Sequence, residues 1–433
     1  MTVAEVRLWG RTIGAVYVEE DDDVASFEYD PDFAKSDIQI SPIKMPLSRR
    51  LYRFPELSRT SFAGLPGLLA DSIPDKFGNA VIDAWLASQG RSPESFDIVE
   101  RLCYIGRRGM GALEFEPSSG PDPGDSRKVQ VALLVDLASK ILRDRQQFST
   151  TLDQDDRPDG MAAILRVGTS AGGARAKAVV AWNPETNEVR SGQVDSDEGF
   201  EQWLLKFDGV TGNKDKELED PQGYGVIEYA YYLMAREAGL VMSRCTLLEE
   251  GGRKHFMTRR FDRLRNGQKL HMQSLAAIAH FDFNEAGAYS YEQALLIMRQ
   301  LELSTVEVEQ QFRRMVFNVV ARNQDDHVKN IAFLMDKRGV WSLSPAFDVT
   351  YSYNPSGAWT GQHQMTINGK RNGFVMDDFK ACGEVALLKR GRFETIVDEV
   401  TEVVSNWRTY ADKAAVPEET AVRIAAAHRL DIL

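Results

Sequence analysis

Three polar residues at set intervals constrain this chain more than any other feature: Asp325, Asn330 five positions later, and Asp348 beyond two short apolar runs. The first two lie in Asn323-Gln324-Asp325-Asp326-His327-Val328-Lys329-Asn330, and the third closes Ser344-Pro345-Ala346-Phe347-Asp348. The intervening runs, 331–334 and 340–343, read as two short strands. That arrangement places the three side chains at loop and strand ends facing one cleft. The chemistry it fits is phosphoryl transfer. One carboxylate orients a substrate hydroxyl and takes its proton late, while an amide oxygen and a second carboxylate hold magnesium on nucleotide phosphates. Oxygen donors suit magnesium, a hard cation that keeps some of its waters. Asp325 is the candidate base, Asn330 and Asp348 are the candidate ligands, and Lys329 is placed to touch the transferring phosphate. In isolation residues 325–330 read as well as a solvated acidic turn after a helix, and Asp325-Asp326-His327 as a metal-hydrolase cluster. Companion segments have to decide.

Composition narrows the setting. At 433 residues the chain is long enough for two or three lobes, each with its own core. Lys plus Arg number 52 against 64 Asp plus Glu, a formal charge of −12. Affinity for DNA rests largely on cations meeting phosphates, so this chain is a poor DNA binder alone but suits a basic partner. Cys103, Cys245 and Cys382 are few and far apart, which points to a reducing cytosol without a disulfide frame or zinc site. The start, Met1-Thr2-Val3-Ala4-Glu5-Val6, lacks the cationic and apolar regions of a signal peptide. No apolar run reaches the roughly 20 residues of a membrane span. A cytoplasmic protein with no membrane partner is expected.

Periodicity sketches the organisation. Residues 3–9 and 12–18 alternate as a hairpin about Gly10-Arg11, and 75–89 read as a helix stopped by Gly90. The stretch 117–126 is a linker by composition, followed by a helix over 129–145 and a second polar break at 153–160. Strands then dominate, at 161–167, 178–182, 203–207, 245–248 and 255–259, with one helix at 226–238. Helices dominate after Tyr291, and the apolar stripes of 307–322 and 392–407 are core packing. The fold class is α+β, with expected boundaries at 1–159, 160–262 and 263–433.

The strand-rich segment supplies the companions. Lys206 ends the apolar strand Trp203-Leu204-Leu205-Lys206-Phe207, and Glu228 is the nearest acid on the next helix. A strand-borne Lys on the nucleotide phosphates, paired with a helix carboxylate, is a recurring part of kinases. Gly168-Thr169-Ser170-Ala171-Gly172-Gly173-Ala174-Arg175-Ala176-Lys177 lies between two expected strands. Its small residues let backbone N–H groups approach phosphates. It is not a Walker loop, because Ala174 stands where that motif needs Lys and a strand follows where it needs a helix. Arg259-Arg260-Phe261-Asp262-Arg263 is placed to be the hinge that meets adenine through backbone atoms.

In this order the segments resemble the HipA family, the kinase components of bacterial toxin–antitoxin pairs. Leu68-Leu69-Ala70-Asp71-Ser72-Ile73-Pro74-Asp75 and the glycine turn of Tyr104-Ile105-Gly106 to Gly111-Ala112 carry the likeness in the amino-terminal part. The loop at 170–177, the hinge at 260–263 and the motif at 325–330 carry it further. The resemblance implies a protein-kinase-like two-lobed fold with an additional β-rich amino-terminal subdomain and a helical carboxy-terminal lobe. It implies Asp325 as catalytic Asp, Asn330 and Asp348 as magnesium ligands, and Lys206 as the phosphate-binding Lys. It adds Gly172, Gly173, Ala174, Arg175, Ala176, Lys177, Arg259, Arg260, Phe261, His327 and Phe347 to the surroundings of ATP, and makes Ser170 a self-phosphorylated regulatory serine. Two departures stand out. Asp326 replaces the usual Gly before His327, which is expected to add negative charge near the phosphates. Arg175 and Arg259 stand where the best-known member has Gln and Glu.

The expected function is that of an ATP- and magnesium-dependent protein serine/threonine kinase, the toxin of a type II pair. The implied partner is a small, basic, dimeric helix-turn-helix antitoxin, HipB-like, which alone carries the complex to operator DNA. Family analogy makes a translation factor such as glutamyl-tRNA synthetase the leading target. The alternatives are a catalytically silent co-repressor scaffold and a small-molecule kinase.

Overall fold

The computed structural model describes residues 1–120, 128–143, 175–192, 198–210, 214–215, 218–219, 223–264 and 267–432. The polar break expected at 153–160 and the strand expected at 161–167 fall outside them. The chain begins with β1 (Thr2–Leu8) and β2 (Arg11–Val18), joined through Gly10 at φ +80°. With β3 (Ser26–Tyr29) and β4 (Leu113–Glu116) they form an antiparallel sheet in the order β3-β2-β1-β4. Ala4, Val6 and Leu8 of β1 and Val16 and Val18 of β2 face inward with a period of two, and a register shift opposite Val6 and Arg7 lets Ile13 join them.

A second sheet, order β10-β11-β7-β5-β6, is built from β5 (Lys177–Asn183), β6 (Glu188–Ser191), β7 (Glu201–Lys206), β10 (Cys245–Glu250) and β11 (Arg253–Arg259). Two short strands, β8 (Lys214–Asp215) and β9 (Leu218–Glu219), pair with each other. Helices Lys76–Ser88 and Val131–Arg143 pack Phe77, Val81, Leu134, Val135 and Ala138 into one core with Val180, Trp203, Leu205 and Met257 of this sheet. Helix Tyr224–Glu237 packs against β10 and β11, burying Tyr232 with Cys245 and Phe256. Its approach is close: a Cβ on Gly225 would lie 2.4 Å from the Lys254 carbonyl oxygen. Only glycine allows the helix to sit this near the strand.

After Tyr291 helices dominate: Tyr291–Gln300, Thr305–Val320, Met376–Val385, Arg392–Ser405, Trp407–Ala414 and Glu418–Ala427. Ser290 with Gln293, and Ser304 with Glu307, form reciprocal capping boxes that fix where two of these helices start. A small sheet, β12 (His271–Ser274), β13 (Ala332–Met335) and β14 (Trp341–Leu343), carries the segment between the candidate base and Asp348.

The architecture is α+β and two-lobed, with the expected β-rich amino-terminal subdomain. That subdomain is divided in its loyalties. Two of its helices cover the second sheet, but its own sheet shares one continuous core with the helical lobe, from Val6 and Phe27 to Phe312 and Ile396. Polar ties reinforce the join. The Trp341 indole donates to the Gln39 carbonyl at 3.1 Å, and Asp71 accepts from the Ser274 N–H and hydroxyl at 2.6 and 2.8 Å.

Candidate active site

The Thr305–Val320 helix delivers the chain into the loop that carries Asp325. Past its end the Asn323 N–H bonds back to the Asn318 carbonyl at 2.9 Å, and the Gln324 N–H bonds to the Ser352 carbonyl at 3.0 Å. Val328–Asn330 then forms one tight turn before β13. The Asn330 amide donates to the Asp325 carbonyl at 2.9 Å, so the two residues spaced in sequence close the loop on itself. With its N–H spent there, the Asn330 side chain has its oxygen left as the donor to a cation. The Asp325 carboxylate receives the Trp359 indole N–H at 2.7 Å and stands 3.9 Å from His327 Nε2.

Asp348 meets the loop from the other side. Its φ of +52° is in the left-handed region, which Asp tolerates at a cost of about 1–2 kcal/mol. The conformation directs its carboxylate to the Lys206 ammonium, which also binds Glu228 at 2.5 Å. Lys206 and Glu228 are buried, one on β7 and the other on the helix that Gly225 lets approach. Burial alone would discharge Lys206, but Asp348 and Glu228 more than reverse this and hold it firmly as the ammonium. Burial likewise opposes ionisation of Asp348, yet Lys206 and Lys177 keep its carboxyl far below the usual carboxylate range. Glu228 is pushed up, because burial and the nearby Asp348 outweigh the help of Lys206. Lys177 faces Lys206 across the β5–β7 ladder, and burial pushes its ammonium down.

The donor set fits magnesium. Asp348 is ionised and Asn330 offers an amide oxygen, both hard donors, and magnesium sites on nucleotides take one or two protein oxygens together with phosphates. Among the described residues no three His, Cys, Asp or Glu side chains gather as a metal cluster of their own.

The remaining candidates are placed as follows. Arg175 lies 3.2 Å over the Tyr224 ring, at the start of the Glu228 helix. Ala176 and Lys177 are buried at the head of β5. Phe261 and Phe347 approach with ring centroids 5.7 Å apart. Arg259 pairs with Glu201 at 3.5 Å. Ser170, Gly172, Gly173 and Ala174 lie outside the described residues.

Residues 4–116 match the HipA N-terminal domain, and residues 169–407 match the HipA-like C-terminal domain. The chain belongs to the HipA family. Its fold is similar to that of HipA from Shewanella oneidensis MR-1, solved with HipB and operator DNA: TM-score 0.66, 15% identity, 98% of this chain and 94% of that one. The Helicobacter pylori proinflammatory kinase CtkA aligns over 52% of this chain and 92% of its own, at 13% identity and a TM-score of 0.33, too loose to bear on the fold. No curated protein matches the chain. Among the described residues no helix is long and apolar enough to cross a membrane.

Three residues of this HipA-family chain depart from what their sequence position suggests. Asp326 does not face the phosphate side. It is 3% exposed and accepts from the Tyr291 hydroxyl at 2.7 Å and the Gln364 N–H at 2.7 Å, with His363 Nδ1 at 2.8 Å. Burial disfavours its charge, but His363, Tyr291 and Gln364 outweigh this and lower its pKa. Lys329 has its ammonium on Asp75 of the amino-terminal subdomain at 2.5 Å, and over the Phe283 ring at 4.7 Å, rather than directed at a phosphate. Arg260 is buried by its own side-chain pairing. It forks onto Asp262 at 2.9 and 2.6 Å, Asp262 also binds Arg263 and the Gly111 N–H, and the two arginines reach the Gly109 and Gly111 carbonyls. This buried knot ties the hinge to the amino-terminal glycine turn.

Sequence reasoning missed Trp359, His363, Gln364, Tyr291 and Asp75. Asp75 sat in a quoted motif without a role. The others lie far along the chain in polar or helical segments, and no spacing rule links them to Asp325 and Asp326.

Proposed function

We propose that this chain is an ATP- and magnesium-dependent protein serine/threonine kinase, acting as the toxin of a type II toxin–antitoxin pair. The observation that carries the reading is the Lys206–Glu228–Asp348 cluster beside a loop that presents Asp325 and is closed by Asn330. A buried strand lysine shared by a helix acid and a loop acid is costly to assemble. Its use is to meet phosphates and their cation. Asn330 and Asp348 would hold magnesium, which neutralises the charge that develops on the transferred phosphoryl group. Lys206, released by Asp348 to the phosphates, stays oriented by Glu228. Phe261 and Phe347 would flank the adenine, and Lys177 and Arg175 border the phosphate end. Asp325 orients the acceptor hydroxyl and receives its proton.

The remaining parts of the reading rest on family and neighbour. A HipB-like, basic antitoxin suits a chain of charge −12, and the Shewanella oneidensis HipA is seen with HipB and operator DNA. DNA contact here would come through that antitoxin. Glutamyl-tRNA synthetase remains the leading target by family analogy. Ser170 would be phosphorylated by the chain itself, and the added charge of about −1.5 to −2 on a loop proposed to meet the nucleotide would oppose nucleotide binding.

Incubation with γ-labelled ATP and magnesium, with and without cell extract, tests the reading. The expected result is label on protein, with Ser170 the modified site by mass spectrometry. Label on a small product alone would favour a small-molecule kinase. No label anywhere would leave a scaffold that only co-represses.

A further inference from the structure

The segment after Asp348 returns to the catalytic loop and grips both of its acids. The Trp359 indole N–H donates to Asp325 Oδ1 at 2.7 Å. His363 and the Gln364 N–H hold Asp326, the next residue. Gln364 is 3% exposed, and its side-chain amide donates to the Gln324 carbonyl at 3.2 Å and to the Trp359 carbonyl at 2.5 Å. One buried amide therefore joins the backbone beside Asp325 to the backbone of the tryptophan that touches it.

The turn that presents Trp359 is itself tightly closed. The Asn354 N–H reaches the Thr360 carbonyl at 3.3 Å and the Gly357 N–H reaches the Asn354 carbonyl at 2.9 Å. A Cβ on Gly361 would lie 2.4 Å from the Gly357 carbonyl oxygen, so the turn closes only around glycine. The indole is a half-buried side chain on this closed turn.

An aspartate that serves as a late proton acceptor gains most from being held in one rotamer, since misplacement of a reacting group by about 1 Å costs on the order of 10²-fold. The Asn330 amide fixes the Asp325 backbone, and the indole fixes its carboxylate. A hydrogen bond to an ionised carboxylate is about twice as strong as a neutral one, and an indole N–H donates without taking a proton. We propose that Trp359 is the positioning residue of the base: its indole N–H sets the Asp325 carboxylate in the orientation that receives the acceptor hydroxyl.

This inference rests on the kinase reading and deepens it. The test uses the full chain and two variants, Trp359→Phe and Asp325→Ala. Phe keeps an aromatic six-membered ring and loses the pyrrole ring with its N–H. With Mg-ATP and a protein acceptor, Trp359→Phe is expected to lower kcat about tenfold and leave KM for ATP within about twofold, on the scale of one oriented hydrogen bond. The double variant should be no slower than Asp325→Ala alone. In the spectrum of ¹⁵N-labelled protein, the indole resonance that disappears in Trp359→Phe should move in Asp325→Ala. A Trp359→Phe protein with wild-type kcat, a double variant slower than Asp325→Ala, or an indole resonance unmoved by Asp325→Ala would each overturn the inference. Wild-type protein that binds ATP but labels nothing would overturn the kinase reading itself, and this inference with it.

Discussion

The two halves of the candidate site are held by different forces. The Asp325 half is fixed mainly by neutral donors: Trp359 on Asp325, Tyr291 and Gln364 on Asp326 beside His363, and Asn330 closing the loop. The Lys206 half is fixed by charge, one ammonium shared between Glu228 and Asp348. Neutral hydrogen bonds give a fixed geometry that needs no ligand. A shared ammonium has partners that a ligand could take over: on the proposed reading, a cation on Asp348 and phosphates on Lys206 would replace the contact they break. On that reading one half stays still while the other exchanges partners. Adjacent residues show the same division. Asp325 lies at the cleft, and Asp326 points into the protein as the anchor of the loop.

The comparison is broken most severely at Asp348. Asp348→Ala removes a proposed cation ligand and leaves Lys206 with Glu228 alone, so calorimetry should find Mg-ATP binding weakened at least tenfold and turnover lost. On the neutral side, Asp326→Ala strands the Tyr291 hydroxyl, the Gln364 N–H and His363 in a buried site. At about 1–3 kcal/mol for each buried group left unsatisfied, urea denaturation should report a loss of about 3 kcal/mol or more. Retention of wild-type stability by that variant would mean the loop is held elsewhere.

Acid should sharpen the contrast more gently. Burial pushes His255, His271, His280 and His428 from an ordinary 6.5 down to about 4. A depressed folded pKa gives stability that is present above pH 6.5 and lost as pH falls toward 4, because the unfolded chain binds protons that the folded chain refuses. Asp348 is depressed much further, so its own ionisation persists through this window. Melting temperature should therefore decline between pH 6.5 and 4 before any Asp348-dependent loss. Replacing His271, whose ring is fully buried, by Gln should flatten that decline. An unchanged slope would remove His271 from the account.

Much of this was legible in the chain. Period-two and helical stripes placed the first hairpin, the 76–88 helix and the strands around Lys206, since each element buries one face. Asn330 meets Asp325 within its loop and lines one cavity with Asp348 because a β-hairpin joins their segments, and Glu228 meets Lys206 across a strand–helix step. What was illegible depends on contacts across the fold. Lys329 meets Asp75 from 254 positions away, and Trp359 reaches Asp325 from 34. No periodicity encodes such pairings. The direction of Asp326 was likewise hidden, because neighbours in a loop share no fixed face. The buried Arg260–Asp262 knot was hidden for the same reason: its partners, Gly109 and Gly111, belong to another subdomain.

The most direct measurement is phosphate transfer from γ-labelled Mg-ATP to protein by the wild type and Asp325→Ala, with ATP binding by both followed in parallel. The account predicts label with the wild type, a rate lower by about 10²–10⁴-fold in the variant, and ATP affinity equal in the two. Equal transfer by Asp325→Ala would contradict it, since the residue at the centre of the fixed half would then have no part in the chemistry.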